Sequence, residues 1–154
     1  MASFVKINDF VENLAFSGMI LNHSGATPAG NQLAVALSNT APGSESSNPT
    51  ADNNGILANV TQISYSNCSS RNLTIANTTA QASGTFKLIV NDLTLTASGT
   101  VGPFRYIYIF NDTISSPVAD PLIGYYDYGT SITLNNGDTF TLDFSPTNGV
   151  IQIA

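Results

Sequence analysis

From Ile56 to the end of the chain, apolar residues recur at every second position in short runs broken by turn residues. Successive side chains of a strand point to opposite faces, so a period of two is the signature of half-buried β-structure. Residues 60–65 alternate, Leu73-Thr74-Ile75 reads as a short strand, and residues 85–90 put Phe86, Leu88 and Val90 on one face. Residues 93–97 continue with Leu93, Leu95 and Ala97 inward; Asn91-Asp92 between the two runs is either a tight turn or a bulge that shifts the phase. Residues 122–127 form a further strand. Residues 131–134, the turn signal Asn136-Gly137 and residues 139–144 read as a hairpin, with Ile132, Leu134, Phe140, Leu142 and Phe144 on its core face. Asn148-Gly149 leads into a last strand over residues 150–153. One run stands apart. Beyond Arg105, residues 105–110 are apolar on both faces, which marks a central strand covered twice or a strand in an oligomer interface. Gly102-Pro103 is expected to turn the chain into it.

Short strands at roughly 8–12-residue spacing predict an all-β fold, an antiparallel β-sandwich of jelly-roll-like or Ig-like type. Upstream, Phe4, Val5 and Ile7 look extended, and Asp9 with Glu12 fits a capping box opening the one helix signal. Phe10, Val11, Leu14 and Ala15 supply its apolar face. Residues 18–30 are polar and glycine-punctuated, residues 32–37 read as a strand, and residues 42–55 form the longest run without a pattern. Such a run in a compact domain is a binding element or a mobile excursion. The expected organisation is an N-terminal arm with a short helix over residues 1–30 and a sandwich domain over residues 31–154.

With 154 residues the chain makes one domain. Only 9% of residues are charged, and polarity comes instead from Asn, Ser and Thr, 17 of each. Four cations, Lys6, Arg71, Lys87 and Arg105, against a net charge of −6 give no phosphate-binding footprint, so no nucleic-acid partner is expected. One histidine and one cysteine cannot assemble a zinc site or an internal disulfide. His23 lies in a polar loop stretch with no orienting partner for a catalytic role, and Cys68 reads as a half-buried small residue. Asp92, Asp112, Asp120, Asp127, Asp138 and Asp143 could supply the carboxylates of a glycosidase, but most sit at turns, where Asp is expected for backbone reasons. No ligand-loop spacing supports calcium. No apolar run reaches membrane-helix length, the start shows no secretory h-region, and the several Asn-x-Ser/Thr triplets, for example at Asn59, Asn67, Asn72, Asn77 and Asn111, are about what chance provides in such a composition. No enzymatic activity, cofactor, metal or membrane is expected, and the chain reads as made in a cytoplasm.

Arg105 is the one charge on the central strand, and Asp112 or Asp127 could pair with it across the sheet as a structural ion pair. Outward strand positions carry Thr and Tyr in place of charge, which leaves the sheet edges short of lysine, the usual guard against edge-to-edge pairing. Either the protein's own loops cover those edges or another subunit pairs with them.

Three stretches taken together carry a resemblance: Val5-Lys6-Ile7-Asn8-Asp9-Phe10-Val11-Glu12-Asn13-Leu14-Ala15, Leu33-Ala34-Val35-Ala36-Leu37-Ser38-Asn39-Thr40-Ala41-Pro42, and most strongly residues 102–144, with Gly102-Pro103-Phe104-Arg105-Tyr106, Asn111-Asp112-Thr113 and Gly124-Tyr125-Tyr126-Asp127-Tyr128-Gly129. Over more than half its length the chain resembles small structural proteins of tailed bacteriophages, components of the virion or tail. Around Tyr65 to Asn72 it departs from the Gly-Tyr-containing segment that members carry there. The resemblance implies a non-enzymatic capsid decoration (cement) protein on the outer surface of the head, synthesised in the host bacterial cytoplasm. Its implied partners are the major capsid protein and itself, as a homo-oligomer with a trimer expected. The arm and the loop over residues 42–55 are the segments expected to make contacts, through Phe4, Val5, Phe10, Ser44, Asn48 and Asn53. Two alternatives remain: a tail or baseplate component, and a carbohydrate-binding host-recognition module offering Tyr106, Tyr108, Tyr125, Tyr126 and Tyr128 to sugar rings.

Overall fold

A computed structural model describes residues 2–16, 31–76 and 80–154; His23 and the triplet at Asn77 lie outside the described residues. In chain order the elements are β1 (Phe4–Lys6), α1 (Phe10–Phe16), β2 (Leu33–Ser38), a 3-10 turn (Leu57–Asn59), β3 (Asn72–Leu73), β4 (Ala80–Ala82), β5 (Thr85–Leu88), β6 (Leu93–Thr96), β7 (Val101–Asn111), β8 (Leu122–Leu134), β9 (Thr139–Leu142) and β10 (Ile151–Ile153). The fold is all-β and antiparallel with one short N-terminal helix. No helix among the described residues is long and apolar enough to cross a membrane.

The first layer is a five-stranded sheet in the order β1-β8-β7-β2-β3. Its centre is β7, paired with β2 from Leu33↔Asn111 to Ser38↔Tyr106 and with β8 along its other side. The doubly apolar run does mark a central strand. Phe104, Ile107 and Ile109 face one core, together with Leu33, Val35 and Leu37 of β2. Tyr106, Tyr108 and Phe110 face a second, smaller core with Ala34, Ala36 and Leu122.

The second layer consists of β10-β5-β4 and β6-β9, and the chain continuity of their strands makes them two halves of one bent ribbon. β5 runs into β6, while β9 runs towards β10 along the same side: Leu88 opposes Ile151 and Leu93 opposes Leu142. Between those pairs, the four residues 89–92 face the eight residues 143–150. Of the two readings of Asn91-Asp92, the structure selects the interruption without a turn. The inward set steps from Leu88 and Val90 to Leu95 and Ala97, a change of phase, and the Asp92 carboxylate accepts the Phe144 N–H at 2.8 Å across the break. Leu88, Val90, Leu95, Leu142, Phe144 and Val150 of this layer pack against the first sheet.

Several expected elements are redistributed. Residues 131–134 and 139–144 do not pair as a hairpin: the former belong to β8 in the first sheet, and β9 pairs with β6 in the second, so Asn136-Gly137 carries the chain from one layer to the other. The strands expected at residues 122–127 and 131–134 are one strand, β8, interrupted where Tyr106↔Asp127 gives way to Phe104↔Ile132. Gly102-Pro103 lies inside β7 as a bulge against Thr133, with Gly102 at φ +117°, rather than before the strand. Residues 60–65 make no ladder: β3 covers that edge of β2 only at Leu33 and Ala34, and further along it the run gives one main-chain bond, Ile63 N–H to Leu37 O at 3.0 Å, while the Leu37 N–H goes to the Tyr65 hydroxyl.

The arm is built into the sandwich. Phe4 pairs with Tyr126 and Lys6 with Gly124, and the ring of Phe10 is fully buried in the main core. Asp9 precedes α1, but its carboxylate is not spent as the capping box requires. It accepts the N–H groups of Asn53 at 2.9 Å and Gly55 at 2.8 Å, pinning the long loop. That loop is therefore no free excursion, and it leads into the segment that covers the outer core as its lid. Ile56 bridges Pro121, the Leu57 N–H reaches Asp120 O, and Leu57 and Val60 pack on the tyrosine face of the central sheet.

Docking of the arm depends on a missing side chain. A Cβ on Gly124 would lie 2.2 Å from the Phe4 ring and 2.6 Å from the Val5 carbonyl oxygen. Overpacking of this kind costs about 1–3 kcal/mol, and here the strain falls on a three-residue edge strand. Gly124→Ala is expected to lower the urea midpoint accordingly and to strip amide-exchange protection from Phe4–Lys6 while sparing β2 and β7. Unchanged protection at β1 would show that this approach does not hold the arm.

Candidate functional site

The two long sides of the sandwich differ. On the β3 side the chain crosses between layers: Leu73 pairs with Leu33 of the first sheet, while Cys68 and Ile75 bridge Ala97 and Val90 of the second. Arg71 locks this seam. Its guanidinium lies 3.7 Å above the Tyr65 ring and bonds Val35 O, and the Tyr65 hydroxyl accepts the Leu37 N–H at 2.8 Å. Burial pushes the Tyr65 hydroxyl and the Cys68 thiol above their ordinary pKa values, so the half-buried Cys68 is not an activated nucleophile.

On the opposite side no strand joins the layers among the described residues. β1 ends the first sheet and β9 ends its half of the second. Between them lies a cleft of about 520 Å³. Phe4, Tyr126 and Tyr128 form one wall, Phe140, Leu142 and Phe144 the other, and Thr139, Thr141, Asp143 and Ser145 contribute polar groups. It lies at the strand mismatch: Asp143, Phe144, Ser145, Gly149 and Val150 of the longer run line it, facing Tyr126 and Tyr128 of β8.

Aromatic contacts close the back of the cleft. The ring centroids of Phe4 and Tyr126 are 5.1 Å apart, those of Tyr126 and Phe144 6.3 Å, and Tyr128 meets Phe140 edge-on at 5.4 Å. Such geometry adds about 0.5–1.5 kcal/mol per pair to simple burial. Tyr128 is still 48% exposed. It sits in the stretch of β8 that bulges out opposite Arg105, and the bulge is clamped. Arg105 donates from Nε and Nη2 to the two Asp127 oxygens at 2.7 and 2.8 Å, and Asp127 Oδ1 also accepts the Gly129 N–H at 2.8 Å. The guanidinium beside it holds the Asp127 carboxyl below the usual carboxylate range. Both side chains remain over a third exposed, so the pair fixes geometry more than it adds stability.

The candidate residues fall into separate places. Asp127, not the exposed Asp112, is the partner of Arg105. Phe4 lines the cleft and Val5 is exposed on the edge strand, but Phe10 is interior, which removes it from any contact surface. Ser44 is exposed and donates to Ala41 O. Asn48 spends its side-chain oxygen on the N–H and hydroxyl of Thr50, and the Asn53 N–H is taken by Asp9. Of the five tyrosines, only Tyr126 and Tyr128 reach the cleft; Tyr106, Tyr108 and Tyr125 lie on the other face of the sheet, beneath the loop. Of the candidate aspartates, Asp92 accepts the Phe144 N–H, Asp138 accepts the Asn135 N–H, and Asp127 pairs with Arg105. No group of three or more His, Cys, Asp or Glu among the described residues is placed to hold a metal ion. Alternation places Phe140 and Phe144 on a core face and does not reveal their second role as a cleft wall. The signal was the change of phase between Val90 and Leu93.

Chemically, the cleft offers aromatic edges, methyl groups and hydroxyls, with Asp143 as its one charged side chain. That set favours contact with apolar and uncharged polar surface. Comparison with protein-family models, with curated proteins and with solved structures gave no match.

On the opposite face, the lid leaves a defined flaw. The Tyr108 hydroxyl and Glu45 Oε1 are both buried without a hydrogen-bond partner among the described residues. Burial, with the Glu45 charge second, drives the Tyr108 pKa far above its ordinary value. An unpaired buried hydroxyl costs about 1–3 kcal/mol. Tyr108→Phe keeps the ring and removes that cost, so it is expected to stabilise the protein by about 1 kcal/mol in urea unfolding. A loss of stability would mean that the hydroxyl is paired.

Proposed function

We propose that this chain is a non-enzymatic structural protein of a tailed-bacteriophage virion, and that it decorates the outside of the assembled head. It binds the major capsid protein as a homo-oligomer, with a trimer the expected state. The observation that carries this reading is the open side of the sandwich: two strand edges, β1 and β9, without strand partners among the described residues flank an aromatic cleft. Protein–protein contacts are enriched in Tyr and Phe and depleted of charge at their centres, which is the composition found here. An unprotected edge is a liability on a free protein and a joint on an assembled one. The sequence resemblance supplies the particle; the geometry supports a binding role without deciding the partner.

The rigidity of the scaffold supports the same reading. The arm and the long loop, expected to reach across to neighbours, are docked on their own domain through β1 pairing and the Asp9 carboxylate. Contact with the head is therefore assigned to the folded edge rather than to extended arms. Counting copies of this chain against the major capsid protein in purified virions tests the proposal. A comparable number is expected; a handful of copies would move the protein to the tail or baseplate, and absence would overturn a structural role.

The carbohydrate reading retains one specific support, the presence of Tyr126 and Tyr128 in the cleft. Their rings pack edge-on or tilted against Phe140 and Phe4, which leaves less open ring face for a sugar. A glycan array is expected to give no binder above background, and one that fails with Tyr128→Ala would favour the carbohydrate module instead.

A further inference from the structure

The chain contains three Asn-Gly pairs, at Asn54, Asn136 and Asn148. This dipeptide is the one most prone to spontaneous deamidation, because glycine puts no side chain in the way of ring closure. The following backbone nitrogen loses its proton and attacks the Asn side-chain carbon, Cγ. An N–Cγ bond forms, the Cγ–Nδ2 bond breaks, and ammonia leaves carrying the proton. Water then opens the succinimide at either carbonyl, giving Asp or isoaspartate. The attacking nitrogen must be free for this to begin.

In this fold none of the three is free. The Gly137 N–H donates to Ala97 O at 2.7 Å, and the Gly149 N–H donates to Ser145 O at 2.9 Å. The Gly55 N–H donates to Asp9 Oδ2 at 2.8 Å, in a buried setting. The first two acceptors are main-chain carbonyls: Ala97 directly follows β6, and Ser145 lies four residues before Gly149 in the same turn. The third is a side chain 46 residues away in sequence, and it is the same carboxylate that pins the lid through Asn53. Space is short there as well: a Cβ on Gly55 would lie 2.8 Å from Ile7 Cγ2.

We propose that Asn54 is a conditional modification site, guarded against deamidation by the Asp9 carboxylate, and that its conversion releases the lid from the tyrosine face. The Asn54 main chain is the hub of this corner. Its N–H donates to Ala51 O, and its carbonyl accepts from Ile56 N–H at 2.8 Å and from Asn59 Nδ2 at 2.8 Å. Isoaspartate inserts an extra carbon into the main chain at that point, and these bonds cannot all be kept. Conversion thus acts as a slow, irreversible opening of the cover over Tyr106, Tyr108 and Tyr125. The inference does not depend on the virion reading.

Peptide mapping by mass spectrometry after incubation in ¹⁸O-water at mildly alkaline pH tests it, because the label marks only conversions that occur during the experiment. In the folded wild type, conversion at all three sites is expected to be slower than in the urea-unfolded chain by at least about tenfold, since attack must wait for local opening. Asp9→Ala is expected to bring Asn54 close to its unfolded rate while Asn136 and Asn148 stay slow. An Asn54 that converts in the folded wild type as fast as in the unfolded chain overturns the proposal. So does an Asn54 that stays slow in Asp9→Ala. If Asp9→Ala releases all three sites together, the variant has unfolded and amide exchange at Gly55 in the wild type decides. Slow exchange sustains the guard, and exchange at the unprotected rate overturns it.

Discussion

A strand that is apolar on both faces has to be covered twice, and β7 imposes that demand on the whole molecule. Ile107 and Ile109 point to one side and Tyr106, Tyr108 and Phe110 to the other, and all five are buried. The inner cover is a second layer of strands, the ordinary solution for a sandwich. The outer cover is not regular structure at all. Residues 39–60 fold over the tyrosine face as a string of turns, held by bonds to Asp9, Asp120 and Pro121 rather than by a large apolar face of their own. One carboxylate, from Asp9, thus ties the arm and the lid to the same corner of the sheet.

The second consequence is asymmetry. Where the chain crosses between layers near Cys68 and Ile75, the sandwich is sewn shut. On the far side the ribbon of the second layer is interrupted, and the gap is lined by rings from both layers. Phe140 and Tyr128 are left at a surface that also carries β1 and β9, two strand edges without strand partners among the described residues. With charge this sparse in the chain, that surface is the natural one to bury against a neighbour, because few ions need to be desolvated.

Much of the fold was legible because it rests on local pattern. The alternation at Phe86, Leu88 and Val90 and the doubly apolar run through Tyr108 became what their periodicity implied. The helix formed at Phe10, but of its expected apolar face only Phe10 and, in part, Leu14 turn inward; Val11 and Ala15 are exposed and Asn13 is buried in their place. Errors arose where pairing is non-local. Asn136-Gly137 has the chemistry of a hairpin turn, yet which strand β9 pairs with is decided by the layers, and it pairs with β6. The alternating residues 60–65 lie along the open end of the β2 edge, but a side chain, the Tyr65 hydroxyl, takes the Leu37 N–H that a ladder would use. The loop over residues 42–55 looked unoccupied because its fastening, two backbone N–H groups on Asp9, leaves no mark in hydrophobic pattern. The candidate site was half legible: Phe4 and the tyrosines were singled out, but the parity of β8 sends Tyr125 to one face and Tyr126 to the other.

If the chain decorates a phage head as proposed, the open side of the sandwich is the surface that makes the contact. Hydrogen exchange of the free protein, compared with the protein added to purified heads without it, tests that directly. The account predicts new protection at Phe4–Lys6 and Thr139–Leu142, with the seam around Cys68 and the lid unchanged. Protection confined to the lid or to the seam, or no binding to the heads, would contradict it.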